Sequence, residues 1–205
     1  MRERFLIDGP DDVGLSFAFA HGAGAPMDSP FMAFIASALA ATGLRVIRFE
    51  FPYMVRRRQE GGRRPPDRQP VLLDAWRDVI GTFGPDRLAI GGKSMGGRMA
   101  SLVADETGVA GLVCFGYPFH PPGKPERTRT EHLAGLATPS LIIQGERDPF
   151  GTTAEVAGYD LSPAIALHWA PDGNHDLAPR KASGRTKEQN WQAAADAAAV
   201  FLKRL

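Results

Sequence analysis

The sequence predicts a single-domain, three-layer α/β fold with a mostly parallel central sheet. Three observations carry this. Six short runs, 15–20, 44–49, 87–91, 109–115, 140–144 and 165–170, are almost wholly apolar, as strands buried on both faces are. Helical patterns separate them, the alternation expected of βαβ units. No internal repeat or linker divides the 205 residues, so one domain spans 1–205.

The helices follow in order. Phe31, Phe34, Ile35, Ala38 and Leu39 recur on one face. Ser29 is placed to cap that helix, Pro30 to open it and Gly43 to end it. A second helix is predicted over 71–83. A third opens at Ser94 or Met95 and runs to about Thr107, ahead of Gly108. The last begins at Thr186-Lys-Glu-Gln189, a capping-box pattern. Its apolar stripe is Trp191, Ala195, Ala198, Leu202 and Leu205.

The net charge of +1 argues against a general polyanion binder. It conceals a local imbalance. Residues 56–68 hold six arginines and two acids among Gly61, Gly62, Pro65 and Pro66, and read as a basic loop of +4 against −3 elsewhere. That loop has no aromatic residue to stack on bases, so no nucleic-acid partner is expected. The single cysteine, Cys114, excludes an internal disulfide and multi-cysteine zinc sites, and reads as a small buried hydrophobe. Phe5, Leu6 and Ile7 are fewer apolar residues than the roughly seven of a signal-peptide core. No run approaches the ~18 apolar residues of a membrane span. The expectation is a cytoplasmic protein with no membrane contact, metal or cofactor.

Gly92-Lys-Ser94-Met-Gly96 matches Gly-x-Ser-x-Gly between a strand and an amphipathic segment. That context is a nucleophile elbow, whose sharp turn needs glycines flanking the serine. A P-loop would need a different glycine and lysine spacing. In this architecture the acid and then the base follow the serine in the chain. Among the histidines after Ser94, His168 lies in a strand-like run and His132 in a helical segment, read as a surface residue. His175 lies in a turn after the last strand and is the candidate base. Asp148, at the carboxyl edge of the sheet in Gln144-Gly-Glu-Arg-Asp148-Pro, is the candidate acid, with Glu146 the competitor. Asp172 and Asp176 read as polar turn residues. His21-Gly-Ala-Gly-Ala25 follows the first apolar run. It assigns an oxyanion hole to the N–H groups of Ala23 and Met95, the latter at a helix N-terminus. Gly22 and Gly24 are read as allowing close backbone approach, and His21 as bonding its own loop.

These segments, with Arg48-Phe-Glu-Phe-Pro-Tyr-Met54, Gly91-Gly-Lys-Ser-Met-Gly-Gly-Arg98, Gly116-Tyr-Pro-Phe-His-Pro-Pro-Gly123 and Gly173-Asn-His-Asp-Leu177, resemble one α/β-hydrolase family. It includes bacterial predicted hydrolases, testis-expressed protein 30 and a subunit of the nonspecific-lethal chromatin acetyltransferase complex. The resemblance runs from about residue 15 to the C-terminus. It implies the α/β-hydrolase fold and the triad Ser94, Asp148 and His175, and implies no particular substrate. Glu50 and Asn174 stand where that family often has Asn and Asp.

Residues 116–131 follow a strand where many α/β hydrolases insert a cap. The stretch is short and holds Pro118, Pro121, Pro122 and Pro125, so an open pocket without a helical lid is expected. His120, Lys124, Arg127 and Arg129 are placed near its mouth, with the arginine loop. They form either a solvated rim or a site for a substrate carboxylate or phosphate. His120, Arg57, Arg58 and Lys124 are the candidate substrate contacts. The resulting expectation is a serine hydrolase of small acyl esters or thioesters acting through an acyl-enzyme. The alternative is a non-catalytic binding protein on the same scaffold.

Overall fold

A computed structural model describes residues 4–205. The apolar runs become β2 (Ser16–Ala20), β3 (Arg45–Phe49), β4 (Leu88–Lys93), β5 (Gly111–Phe115), β6 (Ser140–Gly145) and β7 (Ile165–Ala170). These six are parallel. A seventh strand, β1 (Phe5–Asp8), runs antiparallel to β3 at the edge. It has four residues and one buried side chain, Phe5, too little pattern to announce a strand. Residues 1–3, part of the stretch weighed as a signal peptide, lie outside the described residues.

The sheet order is β1-β3-β2-β4-β5-β6-β7. Side chains alternate across it. Phe17 and Phe19 of β2 join one layer with α1 (Pro30–Ala41) and α8 (Lys187–Leu202). Ala18 and Ala20 face the other, with α2 (Pro52–Glu60), α3 (Gln69–Phe83) and α4 (Met95–Ser101). Short helices α5 (Ala104–Thr107), α6 (Glu131–Ala134) and α7 (Thr153–Val156) complete that side. Each fully buried aromatic contributes about 1.5–3 kcal/mol of apolar transfer. No described helix is long and apolar enough to cross a membrane.

The capping box at Thr186 and Gln189 forms, each side chain accepting the other's backbone N–H. Leu205, by contrast, lies beyond the end of α8 and is exposed. Ser29 occupies the cap position of α1, but its side chain makes no capping bond. The helix expected over 94–107 breaks after Ser101, whose hydroxyl donates to the Arg98 carbonyl, a bond that competes with helix continuation.

The basic loop 56–68 requires the largest correction. Its first part is helical, because α2 starts at Pro52, anchors Tyr53 and Met54 in the core, and ends at Gly61 with φ 73°. Arginine is a good helix former, and Arg57 and Arg58 in the last turn complement the helix dipole. The remainder, 61–68, is loop. Between β5 and α6 no helix forms, and Tyr117, Phe119 and His120 pack inward.

β3 lies on one side of β2 and β4 on the other. The chain therefore changes direction between β2 and β4, and a crevice opens at their carboxyl ends.

Candidate active site

Ser94 stands at that crevice, between β4 and α4, with φ 52° and ψ −116°. A non-glycine residue held there costs about 1–3 kcal/mol. The surroundings hold it. Ser94 N–H donates to Phe115 O at 2.9 Å, and Arg98 N–H donates to Ser94 O at 3.0 Å. The flanking glycines allow close packing: a Cβ on Gly92 would sit 2.5 Å from Ala20 O, and one on Gly96 2.5 Å from His21 O. Gly96→Ala is therefore expected to lower stability by about 1–3 kcal/mol, read as a fall in the urea midpoint. An unchanged midpoint would contradict this packing. Gly22 and Gly24 are different from expectation. A Cβ on Gly22 would meet nothing nearer than 3.5 Å, and one on Gly24 nothing within 4 Å.

Three loops meet over the serine. Ser94 Oγ lies 2.8 Å from His175 Nε2, and His175 Nδ1 lies 2.8 Å from Asp148 Oδ2. A carboxylate only accepts, so Nδ1 carries the proton and Nε2 offers its lone pair to the serine hydroxyl. Asp148 is fully buried. Its Oδ1 accepts the Phe150 N–H at 2.9 Å, and its Oδ2 also accepts from Gln144 Nε2 at 3.0 Å. Glu146, the competing acid, instead accepts the Asp172 N–H. Asp172 in turn binds Arg147 and Arg180.

Two supporting residues escaped the sequence reading. Gln144, buried at the end of β6, links Asp148 to the Tyr117 backbone in both directions. Lys93, the variable position before the serine, donates from Nζ to His175 O at 2.7 Å and lies 3.4 Å from Asp176 Oδ1. Burial pushes its ammonium below the usual lysine range, while Asp176 and then Asp148 pull it back up. A lysine ending a wholly buried strand needs a partner, and that was the available signal. Asn174 Oδ1 accepts the N–H groups of Asp176 and Ala178, shaping the His175 turn.

The loop after β2 is fixed from behind. His21 Nε2 accepts the Phe51 N–H at 3.1 Å, so its Nδ1 donates to Gly22 O at 2.7 Å. Tyr53 OH donates to Ala23 O at 2.9 Å. Among the described residues, the N–H groups of Ala23 and Met95 have no hydrogen-bond partner.

A cavity of about 330 Å³ opens over Ser94 and His175. Phe31, Met32 and Phe150 give it an apolar wall, while Ser29, Lys93 and Asp176 add polar groups. None of the four candidate substrate contacts lines it. His120 is buried, with Nδ1 donating to Pro121 O and Nε2 3.4 Å from Glu155. Arg58 is occupied by Glu50 and Asp28 because α2 turns it toward them. Arg57 reaches the Gly24 carbonyl from outside the cavity. Lys124 is exposed on a turn.

A second Ser–His contact joins Ser101 Oγ to His132 Nε2 at 2.8 Å. Ser101 is buried outside the cavity, and no carboxylate reaches His132 among the described residues. His132 is thus a packed residue and not the surface residue expected.

Burial holds His21, His132 and His168 below the ordinary 6.5, His132 at about 4, with Arg98 adding to the effect there. The unfolded chain therefore binds more protons below about pH 6.5, and the fold loses stability as pH falls from there toward 4. The urea midpoint is expected to drop between about pH 7.5 and about pH 5, and to drop less in His132→Gln. A flat midpoint in both proteins would contradict this.

A strand-elbow serine at a sheet switch point, met by a histidine and a buried aspartate from later loops, defines the class of α/β hydrolases. Residues 14–203 match the family model described as Alpha/beta hydrolase domain, and the chain belongs to that family. Solved structures agree on the fold. A dienelactone hydrolase from Anabaena variabilis has a TM-score of 0.70 and 21% identity, over 98% of this chain and 90% of that one. An α/β serine hydrolase homologue from Coxiella burnetii gives 0.67 and 18%, over 98% and 90%. An α/β serine hydrolase without lid from Xanthomonas campestris gives 0.63 and 20%, over 93% and 86%.

Proposed function

We propose that this α/β hydrolase cleaves small acyl esters or thioesters through Ser94, His175 and Asp148. The continuous 2.8 Å contacts from Asp148 to His175 to Ser94, opening on a cavity, carry the reading. Ser94 Oγ attacks the acyl carbonyl as His175 Nε2 takes its proton. Asp148 stabilises the imidazolium and keeps its orientation. The unpartnered N–H groups of Ala23 and Met95 receive the oxyanion. His175 then protonates the leaving alcohol or thiol. Water, deprotonated by the same imidazole, releases the acid and restores Ser94.

The cavity volume and its Phe31, Met32 and Phe150 wall favour a short, mainly apolar acyl group. A panel of small esters and thioesters with neutral and acidic acyl groups tests this. Turnover of neutral short-chain members is the expected result, and no turnover of any member would overturn the reading. The alternative of a non-catalytic binding protein is weakened by the intact hydrogen-bonded chain.

Lys93 is a positioning residue in this reading, tethering the base by its own carbonyl. Lys93→Met is expected to lower kcat about tenfold with KM changed less than about twofold. Lys93→Gln, which keeps a donor, should fall between the two. A wild-type kcat in Lys93→Met would contradict the role.

A further inference from the structure

Phe150 touches the triad twice, once through its backbone and once through its ring. Its N–H donates to Asp148 Oδ1 at 2.9 Å, and its carbonyl accepts the N–H of His120 at 3.2 Å. His120 is itself buried, so the Phe150 backbone is held from both sides. The ring packs on the imidazole of His175, with centroids 4.2 Å apart and planes tilted by 33°. So small a tilt at that distance sets the two rings nearly face to face. The ring is half-buried and lines the cavity over Ser94, so part of it is open to whatever the cavity holds. The other apolar side chains of the cavity are placed differently. Phe31 meets the rings of Phe115 and Trp191, and Met32 sits beside it on α1.

The chemistry says what lies nearest this ring. Acylation breaks the bond between the acyl carbon and the leaving oxygen or sulfur. The acyl carbon stays on Ser94 Oγ. The leaving atom keeps the bonding pair and takes the proton that His175 Nε2 received from the serine. That transfer needs the leaving atom within about 2.6–3.2 Å of Nε2. It then lies roughly in the imidazole plane, while the Phe150 ring lies over the imidazole face. The two directions are close to perpendicular, which puts the leaving atom about 6 Å from the Phe150 centroid. A ring attached to it through one further atom comes within the ~4.5–7 Å at which aromatic rings pair.

We propose, on the acyl-transfer reading of Ser94 and His175, that Phe150 is a specificity-determining residue for the leaving group. It selects a flat aromatic alcohol or thiol, of which a benzyl group is the simplest form. Phe31 and Met32 are left to the acyl chain. A saturated ring of similar size is thicker and has no π-face to offer Phe150.

The kcat/KM values of benzyl acetate and cyclohexylmethyl acetate test the assignment. Both esters form the same acyl-enzyme and release a primary alcohol of similar size, and kcat/KM covers the step in which that alcohol departs. Wild type is expected to prefer the benzyl ester by about three- to tenfold. Phe150→Leu should cut the preference below about twofold, and Phe150→Tyr, which keeps the flat face, should retain it. The ratio of ethyl acetate to ethyl butyrate should change by less than about twofold in Phe150→Leu, because the acyl chain lies elsewhere. A merely structural role would slow all four esters together and leave both ratios as in wild type. Should Phe150→Leu fail to fold, Phe150→Met also removes the flat face, and the same loss of preference is expected. Equal values for the two acetates in wild type, or an undiminished benzyl preference in the leucine or methionine variant, would overturn the assignment and leave the hydrolase reading standing. No turnover of any of the four esters by wild type would overturn that reading, and the assignment with it.

Discussion

Ser94→Ala is expected to lower kcat/KM for small acyl esters about ten-thousand-fold or more. The hydroxyl lies 2.8 Å from His175 Nε2, and Ser94 lines the cavity. Without it the imidazole has no nucleophile to activate, and the residual rate reflects only the oxyanion donors and binding. The fold should tolerate the change. Ser94 is tied in by its backbone to Phe115 and Arg98, and alanine keeps those bonds. Its urea midpoint should therefore stay close to wild type. Activity within about tenfold of wild type would place the nucleophile elsewhere.

Asp148→Asn is expected to cost nearly as much, about ten-thousand-fold in kcat. The carboxylate takes two donors on Oδ2, from His175 and Gln144, and one on Oδ1, from Phe150. An asparagine cannot serve all three. With its oxygen toward Phe150, its amide nitrogen faces the Gln144 amide and donates to His175 Nδ1. The histidine proton then moves to Nε2, where the Ser94 hydroxyl needs an acceptor. With the amide flipped, its nitrogen opposes the Phe150 N–H. The loss should therefore fall on kcat, with KM changed far less. A fall confined to KM would mean that Asp148 serves substrate binding instead.

The parallel strands were legible because burial on both faces leaves continuous apolar runs. Ser94, Asp148 and His175 were legible because each follows such a run in a turn of distinctive composition. Their meeting needs only the sheet order, which places β4, β6 and β7 on one side of β2. The arginines misled because charge was read as loop. Helix α2 is fixed by Pro52 and by two buried anchors, Tyr53 and Met54, ahead of the charged run. Once α2 turns Arg58 onto Glu50 and Asp28, it is a structural cation. Lys93 was missed for a related reason. Its partners, the His175 carbonyl and Asp176, lie 82 residues or more along the chain, beyond any local pattern.

Labelling with a fluorophosphonate, followed by mass spectrometry of the peptides, tests the central claim most directly. The expected result is one adduct per chain, on Ser94, formed rapidly in wild type and far more slowly in His175→Ala. An adduct on Ser101, the buried serine beside His132, or none at all, would contradict it.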